Sequence, residues 1–211
     1  DYSADELKPF TRAQSPMSIR TVCVFCGSST GNRDDYARVA RELGHTLAER
    51  SYAIVYGGAS VGLMGEVADA ALANDGEVIG VLPKGLSDKE RAHQGLSRLH
   101  VVDSMHDRKA LMEEMSDAFI ALPGGMGTLE EFAEIFTWAQ LGLHRKPCGL
   151  LNVAGYFDAL IEFFDHSLEQ GFLWPEHREI ILTADSPNRL LERFEVYSAP
   201  RVKQWIEESE T

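Results

Sequence analysis

Residues Phe119 to Glu131, FIALPGGMGTLEE, pass from an unbroken apolar run through three glycines into a helical pattern, and that order leaves few folds open. Phe119, Ile120, Ala121 and Leu122 read as a short buried strand that Pro123 ends. Leu129, Phe132, Ile135, Phe136 and Ala139 then recur at three- and four-residue spacing, which predicts an amphipathic helix from about Thr128 to Leu143. Between them, Gly124, Gly125 and Gly127 are expected to take positive φ and bring bare backbone close to a ligand, with Thr128 capping the helix. The free amides and the dipole at such a helix start make an anion site that suits a phosphate. Glu130 and Glu131 are expected in the first turn. They project about 100° apart, so only one of them faces a ligand at the helix mouth; Glu131 is assigned to that side, and Glu130 to capping or solvent.

The rest of the chain repeats the same alternation. Strands are expected at Thr21 to Phe25, Ala53 to Tyr56, Glu77 to Leu82, Leu99 to Val102, Cys148 to Val153 and Ile180 to Thr183, with helices at Tyr36 to Glu49, Leu63 to Asn74, Arg108 to Met115, Tyr156 to Gln170 and Pro187 to Phe194. Strands alternating with helices of this length predict an α/β, Rossmann-like, doubly wound parallel sheet with helices on both faces. In such sheets ligands bind beyond the carboxyl ends of the strands. Four loops fall there: Gly27-Ser28-Ser29, Gly57-Gly58-Ala59, Pro83 to Gln94, and Pro123 to Gly127.

Length and composition bound the rest. A chain of 211 residues with 44% hydrophobic and 25% charged residues builds one domain with a real core, without staples of disulfide or metal. Residues 1–17 read as a mobile leader, 18–198 as the folded domain and 199–211 as a polar tail. The net charge of -13 argues against a nucleic-acid backbone as partner. With no apolar run long enough for a membrane span and no secretory pattern, the chain is expected in the cytoplasm. Cys23 and Cys26 lie three apart on a strand and so face opposite ways; they and Cys148 read as buried structural thiols. The seven histidines show no metal-ligand spacing, so neither a metal nor a cofactor is expected. Met112 and Met115 are placed in the core, and His106 is read as a structural hydrogen-bonding group.

The glycine motif is neither a Walker A loop nor the dinucleotide fingerprint, since it lacks both GK[ST] and G-x-G-x-x-G. PGGMGTLEE, preceded by Met105-His106-Asp107-Arg108-Lys109 and by the CGSS and YGGASVGLMG segments, resembles the LONELY GUY (LOG) family of cytokinin riboside 5'-monophosphate phosphoribohydrolases. Its members often carry the label lysine decarboxylase, but nothing in the sequence suggests a pyridoxal site. The resemblance implies hydrolysis of the N-glycosidic bond of adenosine 5'-monophosphates, N6-substituted or not. AMP and isopentenyladenosine monophosphate are the implied substrates, and free base and ribose 5-phosphate the products. It implies Arg108 and Glu131 as catalytic residues. Substrate contacts are implied at Ser28, Gly58, Glu90, Arg108, Lys109, Gly124, Gly125, Met126, Gly127, Thr128, Leu129, Glu130, Glu131 and Thr137. It further implies a homodimer. Two other readings stay open: a broader nucleotide nucleosidase using the same residues, and a non-catalytic nucleotide or molybdenum-cofactor carrier.

Overall fold

The structure, a computed structural model, describes residues 18–87 and 92–202. Its elements follow one another as β1 (Thr21–Phe25), α1 (Asp34–Glu49), β2 (Ala53–Tyr56), α2 (Gly62–Leu72), β3 (Val78–Pro83), α3 (Lys84–Ser87), β4 (Arg98–Val102), α4 (Met105–Glu114), β5 (Ala118–Ala121), α5 (Met126–Gln140), β6 (Cys148–Leu151), α6 (Asp158–Glu169), α7 (Pro175–Arg178), β7 (Ile181–Ala184) and α8 (Pro187–Glu195). The strands form one sheet in the order β4-β3-β2-β1-β5-β6-β7, and every pairing is parallel. Winding runs outward from β1 to one edge, then returns to β5 and runs to the other. The strand order therefore reverses between β1 and β5, and the crevice where such folds bind ligands opens there.

The period of two along each strand divides the core into two layers. Val22, Val24, Ile54, Tyr56, Ile120 and Leu122 face Leu43 and Leu47 of α1, Leu63 and Val67 of α2, and Leu190 and Phe194 of α8. Cys23, Phe25, Val55, Val81, Phe119 and Ala121 face Met112 of α4 and Phe132, Ile135 and Phe136 of α5. Register enforces this, because Cys23 pairs with Phe119 and Phe25 with Ala121 across β1 and β5. A one-residue slip would exchange the layers. Each fully buried leucine or phenylalanine removed from water contributes about 1.5–3 kcal/mol. The doubly wound sheet with helices on both faces is the one expected, and Met112 and Met115 both pack in the second layer.

Local departures from the sequence expectations have identifiable causes. Helix α5 starts at Met126 with extended Gly125 as its N-cap, and no side chain bonds at that cap. Thr128 is therefore the third helical residue and not the cap. Glu130 and Glu131 fall in the second turn, since no acidic residue occupies the first. Nor do Gly124, Gly125 and Gly127 take positive φ, which occurs instead at Gly58 and Gly62 among the site loops. The short helices α3 and α7 go unforeseen because four residues are too few to show a hydrophobic period. Pro175, with its φ preset and its missing N–H, starts α7.

Candidate active site

Three loops interlock at the carboxyl end of the sheet. The Gly27 amide donates to Pro123 O at 3.0 Å and the Leu63 amide donates to Gly27 O at 3.0 Å, joining the turns after β1, β2 and β5. Gly62, at φ +59°, lies so close to the β1 loop that a Cβ there would stand 2.2 Å from the Ser28 carbonyl carbon. The chain returning from α3 joins the same cluster, with the His93 amide donating to Gly58 O at 3.0 Å and Ala59 bridging Ala92. Each contact satisfies a backbone group that the turns leave without a ladder partner.

The three motif glycines differ in what they do. A Cβ at Gly124 would fall 2.1 Å from Thr128 Oγ1 and 2.9 Å from Gly27 N, so bare backbone is needed for β5's turn to seat between α5 and β1. At Gly125 and Gly127 a Cβ would meet nothing within 4 Å. These two residues, with Met126 at 77% exposure, leave the start of α5 open to solvent. The first-turn amides there have no intrahelical carbonyl to bond. Thr128 itself is buried. From the far side, the Tyr156 hydroxyl donates to Gly124 O at 2.5 Å, and its ring meets Tyr36 of α1 edge-on.

Beside this opening stand Arg108 on α4 and Glu131 on α5. Arg108 Nη1 lies 3.0 Å from Glu131 Oε1, and each side chain is 11% exposed. The guanidinium is seated by more than its partner: Nε donates to Val81 O at 3.1 Å. Its other arm fills the space where a side chain on Gly57 would be, 2.5 Å from an ideal Cβ. Glu131 of α5, Val81 of β3 and the turn at Gly57 thus fix Arg108 on α4. A carboxylate removed this far from water needs an opposite charge close by, and Arg108 supplies it. The same negative charge reaches β1 below. Burial first, and Glu131 second, push the Cys23 and Cys26 thiols well above their ordinary range. All three cysteines are free and buried.

A family profile described as "possible lysine decarboxylase" matches residues 64–194. A cytokinin riboside 5'-monophosphate phosphoribohydrolase of Arabidopsis thaliana is 49% identical over 180 residues, covering 85% of this chain and 84% of its own. A probable enzyme of the same name from Oryza sativa subsp. japonica is 51% identical over 179 residues, with 85% and 79% covered. The chain belongs to the LONELY GUY family. The molybdenum cofactor carrier protein of Chlamydomonas reinhardtii is similar in fold. It has a TM-score of 0.62 and 22% identity, with 83% of this chain and 99% of that one covered. The molybdenum cofactor binding protein of Rippkaea orientalis gives 0.62 and 24%, with 83% and 95% covered. At these identities the likeness is one of fold alone.

Within this LONELY GUY chain the expected residues separate by position. Ser28, Gly124 to Thr128, Arg108 and Glu131 gather at the crevice, while Gly58, on the turn after β2, lies against Gly80, Leu82 and Leu99 of β3 and β4. Ser28 is exposed on the β1 loop, while Ser29 Oγ accepts from the Gly31 amide in a local turn. Leu129 is half-buried and Glu130 exposed. Lys109 is buried and turned toward Glu130 and Glu134. Thr137 lies on the exposed face of α5, its hydroxyl donating to Ala133 O. Glu90 lies outside the described residues. Sequence reasoning passed over Gly57, whose missing side chain admits Arg108, and Tyr156, which braces Gly124. The glycine pair after β2 was the available signal for the first; nothing local signalled the second.

Proposed function

We propose that this protein hydrolyses the N-glycosidic bond of adenosine 5'-monophosphates, with or without an N6 substituent, releasing the free base and ribose 5-phosphate. One observation carries the reading. A largely buried Arg108–Glu131 pair adjoins the open start of α5, so a phosphate on the first-turn amides brings the sugar to a carboxylate. The relatives named phosphoribohydrolases at about half identity support it.

The chemistry divides among the residues. The amides of Met126, Gly127 and Thr128 hold the phosphate, and Ser28 adds a hydroxyl from the β1 loop. Glu131 orients the attacking water and stabilises positive charge as the anomeric carbon gains oxocarbenium character. Arg108 keeps its charge throughout and positions Glu131. Anchoring a group remote from the scissile bond allows binding energy to be used for orientation. The monophosphate should therefore be cleaved far better than the nucleoside.

The deciding measurement is chromatographic detection of free base from AMP and isopentenyladenosine monophosphate beside adenosine and isopentenyladenosine. Release from the monophosphates alone, lost in Glu131→Gln, is the expected result. Equal cleavage of nucleoside and nucleotide would show that the glycine turn anchors nothing. Tight nucleotide binding with no base released over hours would return the protein to the carrier class.

We also propose a homodimer. Helix α6 packs Leu160, Ile161, Phe164 and Leu168 on the second layer but leaves Phe163 60% exposed, and Phe172 and Trp174 just beyond it are 89% and 45% exposed. The Ser167 hydroxyl donates to Phe163 O and the Phe172 amide donates to Ser167 O, so the two exposed phenylalanines flank one stretch of chain at the end of α6. A second copy covering it would remove that apolar area from water.

A further inference from the structure

We propose that Lys109 is a positioning residue which, through Glu134, ties α4 to α5 so that Arg108 and Glu131 meet, and that it is not itself a ligand of phosphate or sugar. The inference rests on the hydrolase reading above. Arg108 and Lys109 are consecutive on α4 and diverge by about 100°. Arg108 reaches Glu131, while Lys109 reaches past it on the other side. Lys109 Nζ lies 2.5 Å from Glu130 Oε1 and 3.0 Å from Glu134 Oε1. Glu130 and Glu134 are one turn apart on one face of α5, and Glu131 sits beside that face. Three carboxylates thus occupy five residues of one helix, and α4 answers them with two cations.

Burial makes this arrangement exacting. The Lys109 side chain is 10% exposed and that of Glu134 24%. Glu134 Oε2 is buried with no hydrogen-bond partner, so the ammonium on Oε1 is the countercharge holding this carboxylate in place. Burial works against the charge on Lys109, but the hydrogen bonds it donates to Glu130 and Glu134 outweigh it and leave its pKa above the ordinary value. An ammonium committed to two carboxylates has little left to offer a phosphate. Without it, Glu134 would keep a partly buried charge with no counterion beside Glu130 and Glu131, and their mutual repulsion would work to shift the start of α5 against α4. That motion pulls Glu131 from Arg108.

The test compares Lys109→Met, Lys109→Arg, Glu134→Gln and the double variant Lys109→Met with Glu134→Gln. Steady-state cleavage of AMP and the rise in Tm produced by ribose 5-phosphate are measured for each. In Lys109→Met, kcat should fall about ten- to a hundredfold from misplacement, with KM for AMP changed less than about threefold. Ribose 5-phosphate should raise its Tm as much as it raises that of the native chain. Removing the stranded carboxylate in the double variant should recover about fivefold in kcat, a non-additive rescue expected of directly interacting residues. Lys109→Arg, which keeps the charge, should retain about half of native kcat or more. A tenfold or greater rise in KM with kcat preserved, together with loss of the ribose 5-phosphate effect, would make Lys109 a ligand and overturn the proposal. So would a double variant no better than Lys109→Met. If the native chain released no base from AMP, the hydrolase reading would fail by itself. The clamp would then stand or fall on whether Glu134→Gln restores part of the Tm lost in Lys109→Met.

Discussion

At the scale of the residue, the site depends on what is absent as much as on what is charged. Gly57 has no unusual φ; its value lies in the space that Arg108 fills, 2.5 Å from where a Cβ would stand. Gly57→Ala should displace the guanidinium, lowering kcat about tenfold or more for a misplacement near 1 Å, with a stability cost of about 1–3 kcal/mol from overpacking. Steady-state kinetics and urea unfolding on the same preparation separate the two effects. Arg108→Lys keeps a cation but loses the fork that reaches Val81 O and Glu131 together. It should reduce kcat/KM about tenfold or more, the cost of about 1.4 kcal/mol of transition-state binding, while the fold survives. Glu131→Gln, which keeps shape and removes charge, should cost about a hundred- to ten-thousandfold in kcat. Arg108 and Glu131 could be named from their motif. Gly57 was visible only as one of a glycine pair in a site loop, because the packing vacancy that gives it its role leaves no periodic signal.

At the scale of the element, α5 serves both chemistry and core. Its inner stripe of Phe132, Ile135, Phe136 and Ala139 seats it on the second layer, and this packing aims its open end at the crevice. The far end is tied down by buried His144, whose Nε2 lies 2.8 Å from Ile135 O while Nδ1 accepts from the Lys146 amide. That pattern requires a neutral ring with its proton on Nε2. Burial chiefly lowers the His144 pKa below its ordinary value, and the unfolded chain therefore binds the proton first as pH falls. Stability is fully present above about pH 6.5 and is lost as pH drops from there toward the folded value. His177, whose pKa burial also lowers, adds a slope of the same sign. Urea unfolding at pH 7.5 and pH 5.5 should show the native chain weaker at the lower pH. His144→Gln should be less stable at pH 7.5 but less sensitive to the change.

At the scale of the whole molecule, the sheet order brings turns distant in sequence to one crevice, and the proposed dimer rests on the apolar residues exposed on and just beyond α6. Sedimentation should give a dimer for the native chain and a shift toward monomer for Phe163→Ser with Phe172→Ser; an unshifted dimer would place the interface elsewhere. The alternation of apolar runs and amphipathic segments was enough to predict a parallel, doubly wound sheet, because period and element length are local properties of the chain. The motif after β5 was enough to predict an anion-binding helix start, and the pairing of Arg108 with Glu131 in one site followed from family resemblance. Only the tertiary structure decided that α5 begins at Met126, that Gly57 seats Arg108, that Tyr156 braces Gly124 and that Lys109 turns toward Glu130 and Glu134. These depend on distances between groups far apart in the chain, where steric exclusion and the cost of burying charge select one arrangement among many that the same local pattern allows.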